Sequence, residues 1–479
     1  MTMKVISAVC GFALVLFVAL FASVRLKDSP VGFGPFAVAI ALAINGPLML
    51  WAVSGMETAL FSLLLTISVA ALAGSLESSS KKLELLGFAF LLLASLTRPE
   101  GFLVAIAWAG LAFFRAREAK LSPVLGLLSG PGPLLFIAGT IATYAWKAWY
   151  YGAILPTSFI MKTSAPMGWD RILGGLVDVV FFIVDSTAVV LIVVIVMGLA
   201  KAGNPQTNPR FWFIAAVSIL FTAYRASLGY LVVMDYAHRL IVPAAPLLAL
   251  LVIEALRVAD DDFSYGWKCI VFALSLVAIA IGFSTIYRMV NFDINLGQRN
   301  IHMAAKEVYP ALKRAHIATG KWLAKNTPKD SAIVLWDAGA ISYYSDRRVI
   351  DTWSLTDKNI IELRAKMAMA KSESEVLGLN RKLADYIMSL KPDYFIQVEP
   401  MLFKDNRFRE FYRPLPRQRY VYIRDREQRL YPWIPPREWG LRSLTMLSNG
   451  YFRYKIQHNP YGYEAYEIYR RVDKLSEDK

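Results

Sequence analysis

The chain has 479 residues, 56% of them hydrophobic and only 19% charged, with a mean hydropathy of +0.42 and a formal net charge of +15. This balance excludes an ordinary soluble globule. The apolar residues are concentrated before about residue 290, so the chain reads as a polytopic membrane protein with a soluble tail. The excess of Lys and Arg lies mainly in the tail. A basic domain fixed beside a bilayer suits anionic lipid headgroups, and nucleic acid is not expected as a partner. Cys10 and Cys269 both fall in apolar runs, so neither a disulfide framework nor a metal cluster is indicated.

In chain order, apolar runs occupy residues 5–24, 35–53, 56–76, 83–96, 102–114, 124–144, 186–200, 211–229, 240–256 and 269–287. This gives about ten hydrophobic passes, with no repeat relating them. The first run lacks a small-residue cleavage site and is long enough to span. The pair 83–96 and 102–114 is short for ordinary spans, which need roughly 20 residues, and reads as a helical hairpin tipped by LTRPEG at 96–101. Within that tip, Thr97 and Glu100 have capping-box spacing and Pro99 suits a first helical position. Arg98 has no such local reason, because a cation beside a helix start is unfavourable unless an anion shares it. Ser54-Gly55-Met56-Glu57 repeats the start signal at the same depth, and two helix starts at one level form a natural phosphate or carboxylate site.

Lys and Arg in the short loops set the orientation. Arg25, Lys27, Lys81, Lys82, Arg115, Arg117, Lys120, Lys201, Arg210, Arg257 and Lys268 fall on one side if the passes alternate, and that side is expected to be cytoplasmic. Both capped tips, the loop 146–171, the loop 230–239 and the tail then face outward. Trp146, Trp149, Tyr150 and Tyr151 read as an aromatic belt at that face, and 168–185 reads as an amphipathic helix lying along the interface. Alternation also puts Met1 outside, which leads us to expect a further helix upstream of this start.

Near the outer face the sequence gathers Glu57, Arg98, Glu100, Tyr151, Lys162, Asp235, His238 and Arg239, and ionisable groups at membrane depth are costly enough to suggest function. Each also has a structural explanation. Arg98 can pair with Glu100, Lys162 can snorkel, and Asp235 can favour the start of the next helix. Read as a site, the cations and helix starts hold the phosphate of a lipid-linked donor and stabilise the charge of the leaving group. A carboxylate, either Asp235 or Glu57, deprotonates an acceptor hydroxyl in an inverting displacement. No DxD or other metal pattern stands on an outward loop, and no cofactor is expected.

Taken together, SGMETALF at 54–61, LTRPEG at 96–101, YYGAILPTSFIMK at 150–162 and DYAHRLIVPAAP at 235–246 resemble the bacterial membrane-embedded C-type glycosyltransferases. The similarity is closest to the branch that includes the terminal arabinofuranosyltransferases of mycobacterial cell walls. It runs on through DAGAISYYSDRRVID at 337–351 and SLTD at 354–357, from about residue 30 to the end. The resemblance implies a polyprenyl-phosphate sugar donor, an extracytoplasmic acceptor such as a cell-envelope glycan, lipid or protein, and a home in the bacterial plasma membrane. Members of this fold usually carry their catalytic acid in a first outer loop, which does not precede the first span here. The expected architecture is a polytopic α-helical membrane bundle over residues 1–290 and an extracytoplasmic α/β domain over 291–479.

The tail alternates a helical pattern at 300–325, a β-rich run at 332–336 with an Asp337-Ala-Gly turn, helices within 357–390 and strands near 394–398, 420 and 451–456. Two rival functions share the composition: a transporter or flippase of a lipid-linked precursor, and a non-catalytic relative that lacks the first-loop base. The missing internal repeat and the large outer tail weigh against a transporter.

Overall fold

The computed structural model describes residues 2–27, 34–118, 130–152, 154, 168–185, 195, 203, 207–229, 238–258, 309–335, 339–352, 357–370, 372–397, 412–414 and 467–471. The chain divides into two compact units, one formed by residues 1–154 and 171–291 and the other by 155–170 and 292–479.

The first unit is helical throughout its described residues. Its elements are α1 (Thr2–Arg25), α2 (Gly34–Ala43), α3 (Gly46–Val53), α4 (Thr58–Ser78), α5 (Lys81–Thr97), a 3₁₀ turn (Pro99–Gly101), α6 (Phe102–Glu118), α7 (Pro131–Tyr151), α8 (Trp169–Asp185), α9 (Pro209–Ser227) and α10 (Ala244–Val258). The run 35–53 is broken in two because Asn45 caps α3, accepting from the Leu48 N–H at 3.0 Å, and Pro47 lacks the N–H that would continue α2. α4 is the central post, packed by α1, α5, α9 and α10, while α7 packs on α5. The core runs through Leu14, Phe61, Leu65, Leu72, Leu91, Phe213, Phe221, Leu247 and Leu250.

By length and composition α1 and α4 are each apolar enough to cross a bilayer, and 99–113 forms a shorter apolar helix. α1 buries Leu14, Val18 and Ala22 yet exposes Val5, Val9, Phe12, Leu16 and Leu20 on its other side. A helix apolar on every face has no side suited to water.

The second unit carries a five-stranded sheet, ordered β2-β1-β3-β5-β4, from β1 (Ala332–Leu335), β2 (Arg348–Asp351), β3 (Tyr394–Gln397), β4 (Tyr412–Pro414) and β5 (Glu467–Arg471). β1 pairs in parallel with β2 and β3, and β5 runs antiparallel to both β3 and β4. Every residue of β1 is buried, as expected for a strand flanked on both sides by parallel neighbours. Helices α11 (Tyr309–Asn326), α12 (Ala340–Ser345), α13 (Lys358–Met369) and α14 (Glu373–Ser389) accompany it. Val334, Ile350, Ile360, Leu383 and Ile387 form the core between sheet and helices. Asp357 caps α13, accepting from the N–H groups of Asn359 and Ile360. The expected strands near 420 and 451–456 and the Asp337 turn lie outside the described residues.

Candidate functional site

The LTRPEG segment makes a tighter turn than a capping box. Thr97 closes α5, donating from Oγ1 to the Ala94 carbonyl at 2.7 Å, and Arg98 is extended at φ −150° before the 3₁₀ turn begins. A Cβ at Gly101 would stand 2.5 Å from the Ser95 hydroxyl, so the turn folds back on α5 only with glycine there. Ser54 likewise ends α3, and Glu57 immediately precedes the first residue of α4 without capping it through its side chain.

These two irregular junctions bring their charges together. Arg98 and Glu100, both 6% exposed, form a two-pronged pair, with Nη2 at 2.7 Å and Nε at 3.3 Å from the two carboxylate oxygens. The remaining Nη1 of Arg98 points to the Arg239 carbonyl at 3.5 Å, and its guanidinium lies 5.1 Å over the Phe61 ring. Arg239 in turn pairs with Glu57 at 2.6 Å and lies 5.4 Å over Trp51. Burial alone would raise the Glu57 carboxyl, but the charge and hydrogen bond of Arg239 outweigh it and hold the group below its usual value. Burial disfavours charge on Arg98, and the Glu100 carboxylate outweighs that, keeping the guanidinium firmly protonated.

A second set adjoins the first through α9. The Tyr224 phenol interacts electrostatically with Glu100, Arg98, Arg225 and Arg171. Arg225 is 1% exposed. It donates from Nη1 to the Gly229 carbonyl at 2.8 Å and from Nη2 to Asp178 on α8. The other oxygen of Asp178 faces His238 Nδ1 at 3.7 Å, and Phe182 packs edge-on against the same imidazole. His238 itself has φ +57°, a left-handed backbone that few residues with a side chain adopt.

At the far end of α4 stands a different cluster. Arg25, Arg210 and Arg257 each reach both Glu77 and Glu254, at 2.8–3.6 Å. This lattice ties the ends of α1, α4, α9 and α10 together. From Glu57 to Glu77 α4 rises about 30 Å, close to the hydrocarbon thickness of a bilayer.

Of the residues expected from sequence, Glu57, Arg98, Glu100, His238 and Arg239 meet in one neighbourhood. Tyr151 is 65% exposed near the end of α7, and its described ring contacts are with Trp146 and Tyr150. Along the same helix Tyr144 packs on Phe102, the residue after the 3₁₀ turn, so Tyr151 stands about 10 Å further out at the same end. Asp235 and Lys162 lie outside the described residues. Sequence reading missed Asp178, Tyr224 and Arg225. The signal was present for Arg225, an ionisable residue inside the apolar run 211–229. Among the described residues no group of three His, Cys, Asp or Glu side chains converges for a metal.

Residues 300–456 match a family model described as a domain of unknown function (DUF8728), which spans less than half of the chain. No curated protein matches the chain.

Proposed function

We propose that the first unit transfers a sugar from a polyprenyl-phosphate donor to an extracytoplasmic cell-envelope acceptor, a glycan, lipid or protein. The protein is read as a multi-pass bacterial plasma-membrane glycosyltransferase with its C-terminal unit outside. One observation carries this: Arg98 and Arg239 lie at one end of an apolar bundle, on irregular turns between helices, cushioned by ring faces and adjoining Arg225 through Tyr224.

The phosphodiester of the donor entering there meets guanidinium forks suited to two-oxygen contacts, and these can hold the phosphate monoester that leaves. In the inverting displacement the acceptor hydroxyl oxygen bonds to the anomeric carbon as the bond from that carbon to the phosphate oxygen breaks. The electron pair leaves with the phosphate, where the arginines stabilise it. The acceptor proton passes to a carboxylate. Glu57 is held by Arg239 as a weak base, which favours Asp235 over Glu57 for this role. No cofactor enters the scheme.

The lattice of Arg25, Arg210, Arg257, Glu77 and Glu254 supports transfer over transport, since a carrier must open both ends and this end is tied across four helices. The test is an assay of the purified full chain in lipid with radiolabelled polyprenyl-phosphate sugars. Transfer to an envelope acceptor that falls on the order of 10²–10³-fold in Arg98→Ala and Arg239→Ala is the expected result. Movement of the lipid across the bilayer without transfer would instead establish the flippase, and neither activity with any donor would leave the non-catalytic reading.

A further inference from the structure

We infer that Asp178 is a positioning residue for Arg239, so that the seating of amphipathic helix α8 sets the geometry of the phosphate site. The inference rests on the glycosyl-transfer reading above and deepens it.

Three observations carry it. First, the backbone of residue 238 fixes where Arg239 points, and it is held at φ +57°. A non-glycine residue stays in that region only when its surroundings over-determine it. Second, those surroundings are supplied by α8. Asp178 faces the His238 ring at 3.7 Å, and Phe182, one turn along, packs on it with ring centres 5.8 Å apart. From that conformation Arg239 reaches Glu57 at 2.6 Å and turns its carbonyl toward Arg98.

Third, α8 is seated by charge. Its exposed face carries Leu173, Leu176 and Val180, whereas Asp178 turns inward to Arg225. The helix backbone also comes so close to α9 that a Cβ at Gly175 would lie 1.9 Å from the Ala226 carbonyl oxygen. Val179 and Phe182 enter the core from the inner side of α8, and the Asp178 carboxylate is the polar attachment that fixes its register against α9. Because Asp178 is shared between Arg225 and His238, shifting α8 shifts the arginine-bearing turn as well.

The experiment measures donor KM, kcat and the binding of polyprenyl phosphate itself, on the full chain in lipid. Asp178→Asn leaves the buried Arg225 guanidinium without its carboxylate, so the double variant Asp178→Asn, Arg225→Gln, which removes both charges, is made beside it. We expect the double variant to unfold like the parent while its donor KM rises on the order of tenfold to a hundredfold and kcat moves less. Asp178→Glu should recover part of the loss. His238→Gly keeps the left-handed turn without strain but removes the ring, and should raise KM comparably. A folded double variant with the parental KM overturns the inference, as does a parental KM in His238→Gly should the double variant not accumulate. If the parent protein itself binds no polyprenyl phosphate, the transferase reading fails. Equal binding by parent and variants defeats the positioning role alone.

Discussion

The two ends of α4 carry the same chemistry in different arrangements. At the Glu77 end three arginines and two glutamates sit on regular helices, and each guanidinium touches both carboxylates. At the Glu57 end the arginines spread over a 3₁₀ turn, a left-handed residue, backbone carbonyls and the faces of Phe61 and Trp51. A closed lattice has its charges spent on one another and holds helices together. At the Glu57 end Arg98 pairs with Glu100 and Arg239 with Glu57, while their other neighbours are rings and carbonyls, so an arriving anion competes with single ion pairs and not with a shared lattice. The same residue types therefore make a tie at one end and, on our reading, a binding site at the other.

The largest expected effect tests the tie. Glu254 is 1% exposed and serves three guanidinium groups, so Glu254→Ala leaves uncompensated buried charge. Loss of about 3–5 kcal/mol of stability is expected, read by thermal or denaturant unfolding in detergent. Glu57→Ala, whose carboxylate is about one-third exposed, should cost clearly less. Equal costs would erase the contrast between the ends.

Conservative swaps sharpen the contrast next. Arg98→Lys keeps the charge but loses the two-pronged contact with Glu100, and transfer should drop on the order of tenfold or more with modest change in stability. Arg210→Lys at the other end should show the reverse, a loss of about 1–3 kcal/mol with the kinetic constants of transfer intact. Parallel losses of activity and stability in both variants would mean that neither end is specialised.

How legible these arrangements were in the sequence depended on range. The apolar runs at 5–24, 56–76, 211–229 and 240–256 correspond to α1, α4, α9 and α10, because hydrophobic length is a local signal. Arg25, Arg210 and Arg257 were grouped on one side by loop charge, and the structure brings those three together. Their glutamate partners were not foreseen, since Glu77 and Glu254 lie 177 positions apart by number (254 − 77) and only packing makes them neighbours. The capping boxes at 54–57 and 97–100 were misread for a local reason. Glycine at 55 and proline at 99 end one helix and delay the next, which turns Glu100 toward Arg98 instead of toward an N–H. Asp178 escaped because an acid on an amphipathic helix ordinarily marks the solvated face, and here that face turns inward.

Acid probes the Glu57 end in a graded way. Glu57 has its carboxyl below the ordinary value in the folded state, so its pairing contributes stability above about pH 4.3, the unfolded value, and that contribution fades as pH falls through the lower folded value. The difference in melting temperature between parent and Glu57→Gln should thus be constant near neutrality and shrink toward zero in acid. A difference that persists at the lowest pH at which the fold survives would show that Glu57 acts by shape and not by charge.

The smallest effect concerns the ring beneath Arg239. Trp51 is buried in the site end of α3 and offers the guanidinium a π face at 5.4 Å, an attraction of about 1 kcal/mol in such settings. Trp51→Leu keeps an apolar side chain under the arginine but removes that face. Since Glu57 still holds Arg239 at 2.6 Å, the arginine should stay near its place and lose only part of its fixation. Affinity for polyprenyl phosphate should then fall roughly fivefold, the factor that corresponds to about 1 kcal/mol, while the unfolding midpoint moves little. No change in affinity would mean that Glu57 alone orients the arginine and that the aromatic floor is only packing. The binding end would then be, like the other, a set of charges fixed by charges.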